Sequence, residues 1–183
     1  MRFGNIDYES FKALVENKRK ECRANLENVR LAIMLWGEDL MGENPKCRVR
    51  QALKVELEKR GHYVKYGEEV CDAESKYSYI GQLAAEARAF DLILSIPTSI
   101  GSASEAHSFF MVPRVSEKLI IFIDEHWETE GFSGPSLYKL QSQVTAAVKL
   151  YNDDYMQKEI IEASLKEINK IQEARVYFGK TIF

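Results

Sequence analysis

Three runs along the chain are apolar with almost no interruption: Leu31 to Trp36 (LAIMLW), Leu92 to Ile96 (LILSI) and Leu119 to Ile123 (LIIFI). Continuous rather than alternating hydrophobicity over so short a stretch marks strands buried on both faces. Tyr63 to Tyr66 and Val144 to Tyr151 add two more strands, the second and the fifth in order. Elsewhere the period is helical. Phe11, Leu14, Val15, Cys22, Leu26 and Val29 recur at helical spacing among Lys and Glu, so the first thirty residues read as an amphipathic helix. Asn44 and Pro45 predict an N-cap and first helical position, followed by the stripe Val49, Leu53 and Leu57 and a stop at Gly61. A second crossover helix runs from Ile80 to Phe90 with Leu83, Ala84 and Ala87 facing inward. Ala103 to Met111 is a short helix, and Asp153 to Arg175 a long one with Ile161, Leu165 and Ile168 on one face.

Strands that alternate with helices imply right-handed βαβ units and a parallel sheet covered on both sides. The expectation is an α/β fold: a flavodoxin-like or Rossmann-like, doubly wound, five-stranded sheet of order 2-1-3-4-5, with additional N- and C-terminal helices. It forms a single domain over residues 1–183, with an N-terminal extension at 1–29, a binding core at 30–151, and a C-terminal helix and tail at 152–183. The two terminal helices exceed what such a core needs, so a homodimer through them is possible, with packing inside one chain as the default.

Composition narrows the partners. Hydrophobic residues are 45% and charged ones 29% of 183, and the formal charge is only -3 with signs interspersed. Neither disorder nor a basic field for nucleic acid or an anionic membrane is suggested. The three cysteines, Cys22, Cys47 and Cys71, lie far apart and include no CxxC, which suits a reducing cytoplasm. No apolar run approaches the roughly 20 residues that cross a bilayer, and the N-terminus carries charges where a signal peptide would be apolar. No GxGxxG, no P-loop and no His or Cys ligand spacing is present, so no cofactor and no metal are expected.

In such a sheet, ligands bind beyond the carboxyl ends of the strands where strand order reverses, here between the first and third strands. Two loops rich in turn formers meet there, Gly37 to Lys46 and Pro97 to Ser102. Thr98, Ser99, Ser102 and Ser104 offer hydroxyls, and Gly101 admits close backbone approach. Lys46 and the helix start at Asn44 suit a phosphate, whereas Arg48 and Arg50 read as solvated helix charges. Glu105 has two readings. Ser102-Ala103-Ser104-Glu105 fits the capping box, in which serine and glutamate satisfy each other's backbone amides. The same glutamate also falls at the expected cleft, where it suits a sugar hydroxyl or a cationic centre. His107 is two residues on and faces away from it, and Phe109 reads as core. His126 and Trp127, just after the fourth strand, are candidates for the rim of the cleft, with an ordinary loop pair as the default reading.

The segment Asp91 to Phe110 opens a strand on Asp, passes through a small-residue loop and continues GSASEAHSF. It resembles the D-L-hydrophobic...G-T-x-x-E-x-G-x-A pattern of the nucleoside 2-deoxyribosyltransferase superfamily, and more loosely that of TIR-like NAD-cleaving domains. The order of elements from Leu31 to Tyr151 matches as well. Ala106 and His107 depart from the pattern, and the family's acidic and aromatic residues after the first strand are not recognisable in GEDLMGENPK. The resemblance implies an enzyme that cleaves or transfers the N-glycosidic bond of a nucleoside, nucleotide or NAD. Glu105 would be its nucleophile, with Gly101 and Ser102 in place of Gly-Thr. The leaving base needs an acid, for which Glu38, Asp39 and Asp124 are the candidates. The alternative is a sensor or signalling module that binds a nucleotide in the same cleft without turning it over.

Overall fold

The apolar runs form strands β1 (Ala32–Gly37), β2 (Tyr63–Tyr66), β3 (Leu92–Ile96), β4 (Leu119–Asp124) and β5 (Ala147–Tyr151). The helices are α1 (Tyr8–Asn28), α2 (Pro45–Lys59), the single-turn α3 (Gly67–Val70), α4 (Tyr79–Glu86), α5 (Ile100–Phe110) and α6 (Met156–Phe178). A computed structural model describes residues 7–37, 45–72, 74–97, 100–128 and 147–179, with the backbone alone at 45, 46, 100, 101, 104, 105, 127 and 128. All four strand pairings are parallel, in the order β2-β1-β3-β4-β5. The doubly wound, flavodoxin-like or Rossmann-like architecture expected from the sequence is therefore the one observed.

Every residue of β3 and β4 is buried, as their unbroken hydrophobicity requires. Met34, Trp36, Ile93, Leu119, Ile121, Ile123 and Val148 share one face with Leu83 and Ala87 of the α4 segment and Ala103, Ala106, Phe109 and Phe110 of α5. Ile33, Leu35, Leu94, Ile120 and Phe122 alternate with these and are buried on the other face. There α2 contacts β1 and β2 through the stripe Val49, Leu53 and Leu57, and Lys149 of β5 pairs with Glu167 of α6 at 2.8 Å.

The amino edge of the sheet is tied by buried or half-buried polar side chains that bond backbone groups. Asp91 accepts from the Ala32 amide at 2.8 Å while its own amide donates to the Ala32 carbonyl at 2.7 Å. The Leu31 amide donates to Nδ1 of buried His62 at 3.2 Å. The Nζ of buried Lys118 donates to the carbonyls of Arg88 and Phe90, at 3.0 and 2.5 Å. Burial lowers the pKa of that amine below the ordinary 10.5, with Asp91 and Glu117 acting the other way.

The chain divides into two compact units, Leu31–Ile168 and Met1–Arg30 with Asn169–Ile182. In the second, Asp7 caps α1 by accepting from the Ser10 amide at 3.0 Å, and Gln172 Nε2 donates to the Val29 carbonyl at 2.9 Å. No residue of α1 is buried; Val15, Cys22, Leu26 and Val29 are half-buried, whereas Phe11 and Leu14 are exposed. No helix among the described residues is long and apolar enough to cross a membrane.

Some boundaries differ from expectation. α5 begins at Ile100, three residues before Ala103, and α3 was not anticipated at all. The buried line of α6 is Met156, Ile160, Ser164, Ile168 and Ile171, with Ile161 and Leu165 only half-buried, one position round from the expected face. Of the expected fifth strand, residues 144–146 lie outside the described residues.

Two predictions follow from the buried polar groups. Ser164 is fully buried and its Oγ has no hydrogen-bond partner among the described residues. Ser164→Ala removes an orphaned hydroxyl and improves helix propensity, so urea unfolding should show stability unchanged or raised by about 0.5–1 kcal/mol; a clear loss would reveal a bond at that hydroxyl. For Lys118, the folded-state pKa lies below the unfolded one, so the unfolded chain binds more protons between the lowered value and 10.5. Stability contributed by this group therefore rises with pH across that window. The parent should gain on Lys118→Met as pH is raised from neutrality toward 10.5, and a gap that stays constant in pH-series denaturation refutes this.

Candidate functional site

Strand order reverses between β1 and β3, and the register sets their exits level, with Trp36 opposite Ser95 and Gly37 opposite Ile96. This is the switch point where ligands bind in open α/β sheets. Gly37 is required there. Its φ is +151°, and a Cβ built on it would lie 2.6 Å from the Ile96 carbonyl oxygen and 3.0 Å from Cδ of Arg50. Only a residue without a side chain lets the two strands leave the sheet side by side.

Trp36 fixes what surrounds that exit. Its ring lies against Phe109 of α5, with centroids 4.0 Å apart and planes tilted by 31°. On another side it meets Gly67 at the start of α3, where a Cβ would come within 2.7 Å of the indole Cδ1. α3 is held in turn by Glu69, whose carboxylate accepts from the Tyr66 amide at 2.7 Å and from Lys54 at 3.0 Å. Burial pushes the Glu69 carboxyl up, but the Tyr66 amide and Lys54 outweigh it and hold the group below its ordinary value.

Arg50 corrects the reading of a solvated charge. It is 1% exposed, its guanidinium lies 4.8 Å from the centroid of the Tyr66 ring, and one terminal nitrogen donates to both carboxylate oxygens of Glu68 at 2.8 and 2.6 Å. Burial pushes the Tyr66 hydroxyl up while Arg50 pulls it down. A buried arginine on a packed aromatic ring beside the β1 exit is part of the framework that packs α2 against β2 and α3. Arg48 is exposed, as expected.

Among the candidate site residues, Gly37, Ser102 and Asp124 are described in full. Ser102 is half-buried on α5. Because α5 begins at Ile100, Ser102 is the third residue of the helix and not its N-cap, which removes the geometry of the expected capping box. Gly101 and Glu105 are placed by backbone within α5, Lys46 likewise within α2, and Glu38, Asp39, Thr98 and Ser99 lie outside the described residues. Position 105 follows 102 by three and precedes 109 by four, so the three share one side of the helix. That side adjoins the fully buried line Ala103, Ala106 and Phe110 and lies at its margin. Phe109 is core, as expected, and His107 is half-buried.

At the exit of β4 the structure pairs two residues that the sequence reading considered separately. Asp124 is 6% exposed and its Oδ1 accepts from the His126 amide at 3.0 Å and lies 2.9 Å from His126 Nδ1, while the His126 side chain is 68% exposed. A D-x-H sequence straight after a buried strand was the available signal. Next to it, Asn152 at the end of β5 bonds the Glu125 side chain and accepts from the Asp154 amide at 3.0 Å, and its own amide donates to Glu159 at 2.8 Å. Among the described residues, no cluster of His, Cys, Asp and Glu has a metal-binding arrangement. A hollow lined by Asp154, Tyr155, Lys158, Ile161 and Glu162 is an open surface furrow on α6 without a buried polar group.

Gly37→Ala should cost about 2 kcal/mol or more, from strained φ and collision with the β3 carbonyl, as read by the midpoint of urea unfolding. A near-neutral variant would mean that β1 and β3 do not meet as closely as the structure has them.

No protein-family model matches the chain, and no curated protein matches it in sequence, so the residues themselves carry the functional argument.

Proposed function

We propose that the chain is an enzyme that cleaves or transfers the N-glycosidic bond of a nucleoside, nucleotide or NAD, with Glu105 as nucleophile or oxocarbenium stabiliser. The observation that supports this reading most is the position of residue 105. α5 leaves the switch-point edge directly, Phe109 anchors it to Trp36 beside Gly37, and position 105 falls at the margin of the buried face in the second turn. Position 105 lies in the second turn of α5, beyond the first turn where a capping glutamate belongs.

The chemistry fits a carboxylate. Breaking the bond between C1′ and the base nitrogen develops positive charge on the sugar, which an ionised side chain stabilises or captures as a glycosyl ester. Water or an acceptor base then releases the sugar. Ser102 and residues 98–99 and 38–44 would hold sugar hydroxyls and phosphate, and Lys46 is the cation suited to a 5′-phosphate. A small-molecule nucleoside or nucleotide is the expected partner, and the protein would act in the cytoplasm.

Incubating wild type and Glu105→Gln with a panel of nucleosides, nucleotides and NAD tests this, with free base quantified by chromatography. Release by the wild type and a loss of about 10³-fold or more in the folded variant supports catalysis by Glu105. Equal release by both removes that residue from the mechanism. Binding without any release by the wild type favours a nucleotide sensor instead.

A further inference from the structure

We propose that His126 is the proton donor to the leaving base, with Asp124 as the residue that positions it; this rests on the glycosidic reading above and names the acid that the reading lacks. Asp124 was itself a candidate for that acid. Its carboxylate, buried at the exit of β4 and bonded by the His126 amide and ring, is better placed to hold a partner than to reach a substrate.

The bland account is a turn in which Asp124 accepts the amide two residues on and starts the short 3-10 segment Glu125–Glu128. That account needs the backbone contact alone. It does not include the ring, which is 68% exposed and lies 2.9 Å from the same oxygen. An ionised carboxylate only accepts, so Nδ1 is the donor and carries hydrogen in both protonation states. The second nitrogen, Nε2, then carries the exchangeable proton on the largely solvent-facing ring. The location agrees: β4 is the neighbour of β3 on the ligand-binding edge, and β3 leads into α5. His62 shows the contrast, since it is 6% exposed at the opposite edge and its Nδ1 accepts a backbone amide.

The bond between C1′ and the base nitrogen breaks, its electron pair goes to the base, and the base takes the Nε2 proton of the imidazolium. The sugar cation is captured by the Glu105 carboxylate. Water then displaces the ester, gives a proton to the neutral imidazole, and restores both groups. Asp124 stays ionised throughout and stabilises the imidazolium.

Leaving-group dependence is the test. A nucleoside needs its base protonated, whereas p-nitrophenyl β-D-ribofuranoside releases a stable anion that does not. His126→Gln alters an exposed side chain, so folding is not at stake. It should lose about a hundredfold or more with the nucleoside that the wild type cleaves best, and about tenfold or less with the p-nitrophenyl riboside. Glu105→Gln should lose both. Nitrogen-15 NMR of the neutral imidazole should place its proton on Nδ1 in the wild type and shift it toward Nε2 in Asp124→Ala. Equal losses of His126→Gln with both substrates, full activity of that variant with the nucleoside, or an Nε2-protonated ring in the wild type would overturn the assignment while leaving Glu105 in place. A wild type that releases nothing from either substrate class removes the glycosidic reading and this role together.

Discussion

The approach of Gly37 to the carbonyl of Ile96 is the constraint on which the carboxyl edge depends. The two central strands are paired from Ile33 with Leu92 to Gly37 with Ile96, and at the far end a missing side chain keeps them level as they leave the sheet. Were they splayed, Trp36 would not stand between Phe109 on one side and Gly67 on the other. The same pair is closed at its beginning by the reciprocal bonds of Ala32 and Asp91. One strand pair thus carries a clamp at the amino end and a clearance at the carboxyl end.

The polar side chains at the two edges of the sheet differ along the same axis. At the amino edge, His62, Asp91 and Lys118 all end on backbone groups, which satisfies amides and carbonyls that strand ends would otherwise leave orphaned. At the carboxyl edge, Arg50 meets Glu68, Asp124 meets His126, and Asn152 meets Glu125, so side chains bond side chains as well as nearby amides. Groups consumed by backbone are committed to the fold.

Strand order, the five strands and the α2 stripe were legible in the sequence because buried strands and a one-sided helix leave strong periodic signatures. The start of α5 was not, because Ser102 and Glu105 satisfy the spacing of a capping box, and local spacing cannot tell an N-cap from a third helical residue. Arg50 was misread for a similar reason: charge suggested solvent, although its spacing of three and seven from Leu53 and Leu57 puts it on the buried stripe. On α6, polar Ser164 occupies the middle of the buried line and shifted the expected face to Ile161 and Leu165. α3 consists of four residues, too few to show a period. The clustering of Gly37, Trp36, Arg50 and Gly67 comes from three elements and depends on tertiary approach that no local pattern encodes.

Asp91 and Asp124 show how one residue type takes opposite meanings from its end of a strand. Both are carboxylates at the boundary of a buried parallel strand, and both accept an amide. Asp91 precedes its strand, faces a neighbouring strand's first amide, and serves as an adhesive between β1 and β3. Asp124 closes its strand, and the chain that follows is free to turn back over the edge, so the carboxylate meets a ring two residues on instead of a neighbouring backbone. Parallel strands all present their carboxyl ends in one direction, and the loops that follow are the ones not consumed in joining the sheet. An acid placed there can shape a neighbouring side chain without being needed to hold the sheet, whereas an acid at the other end cannot be spared from it.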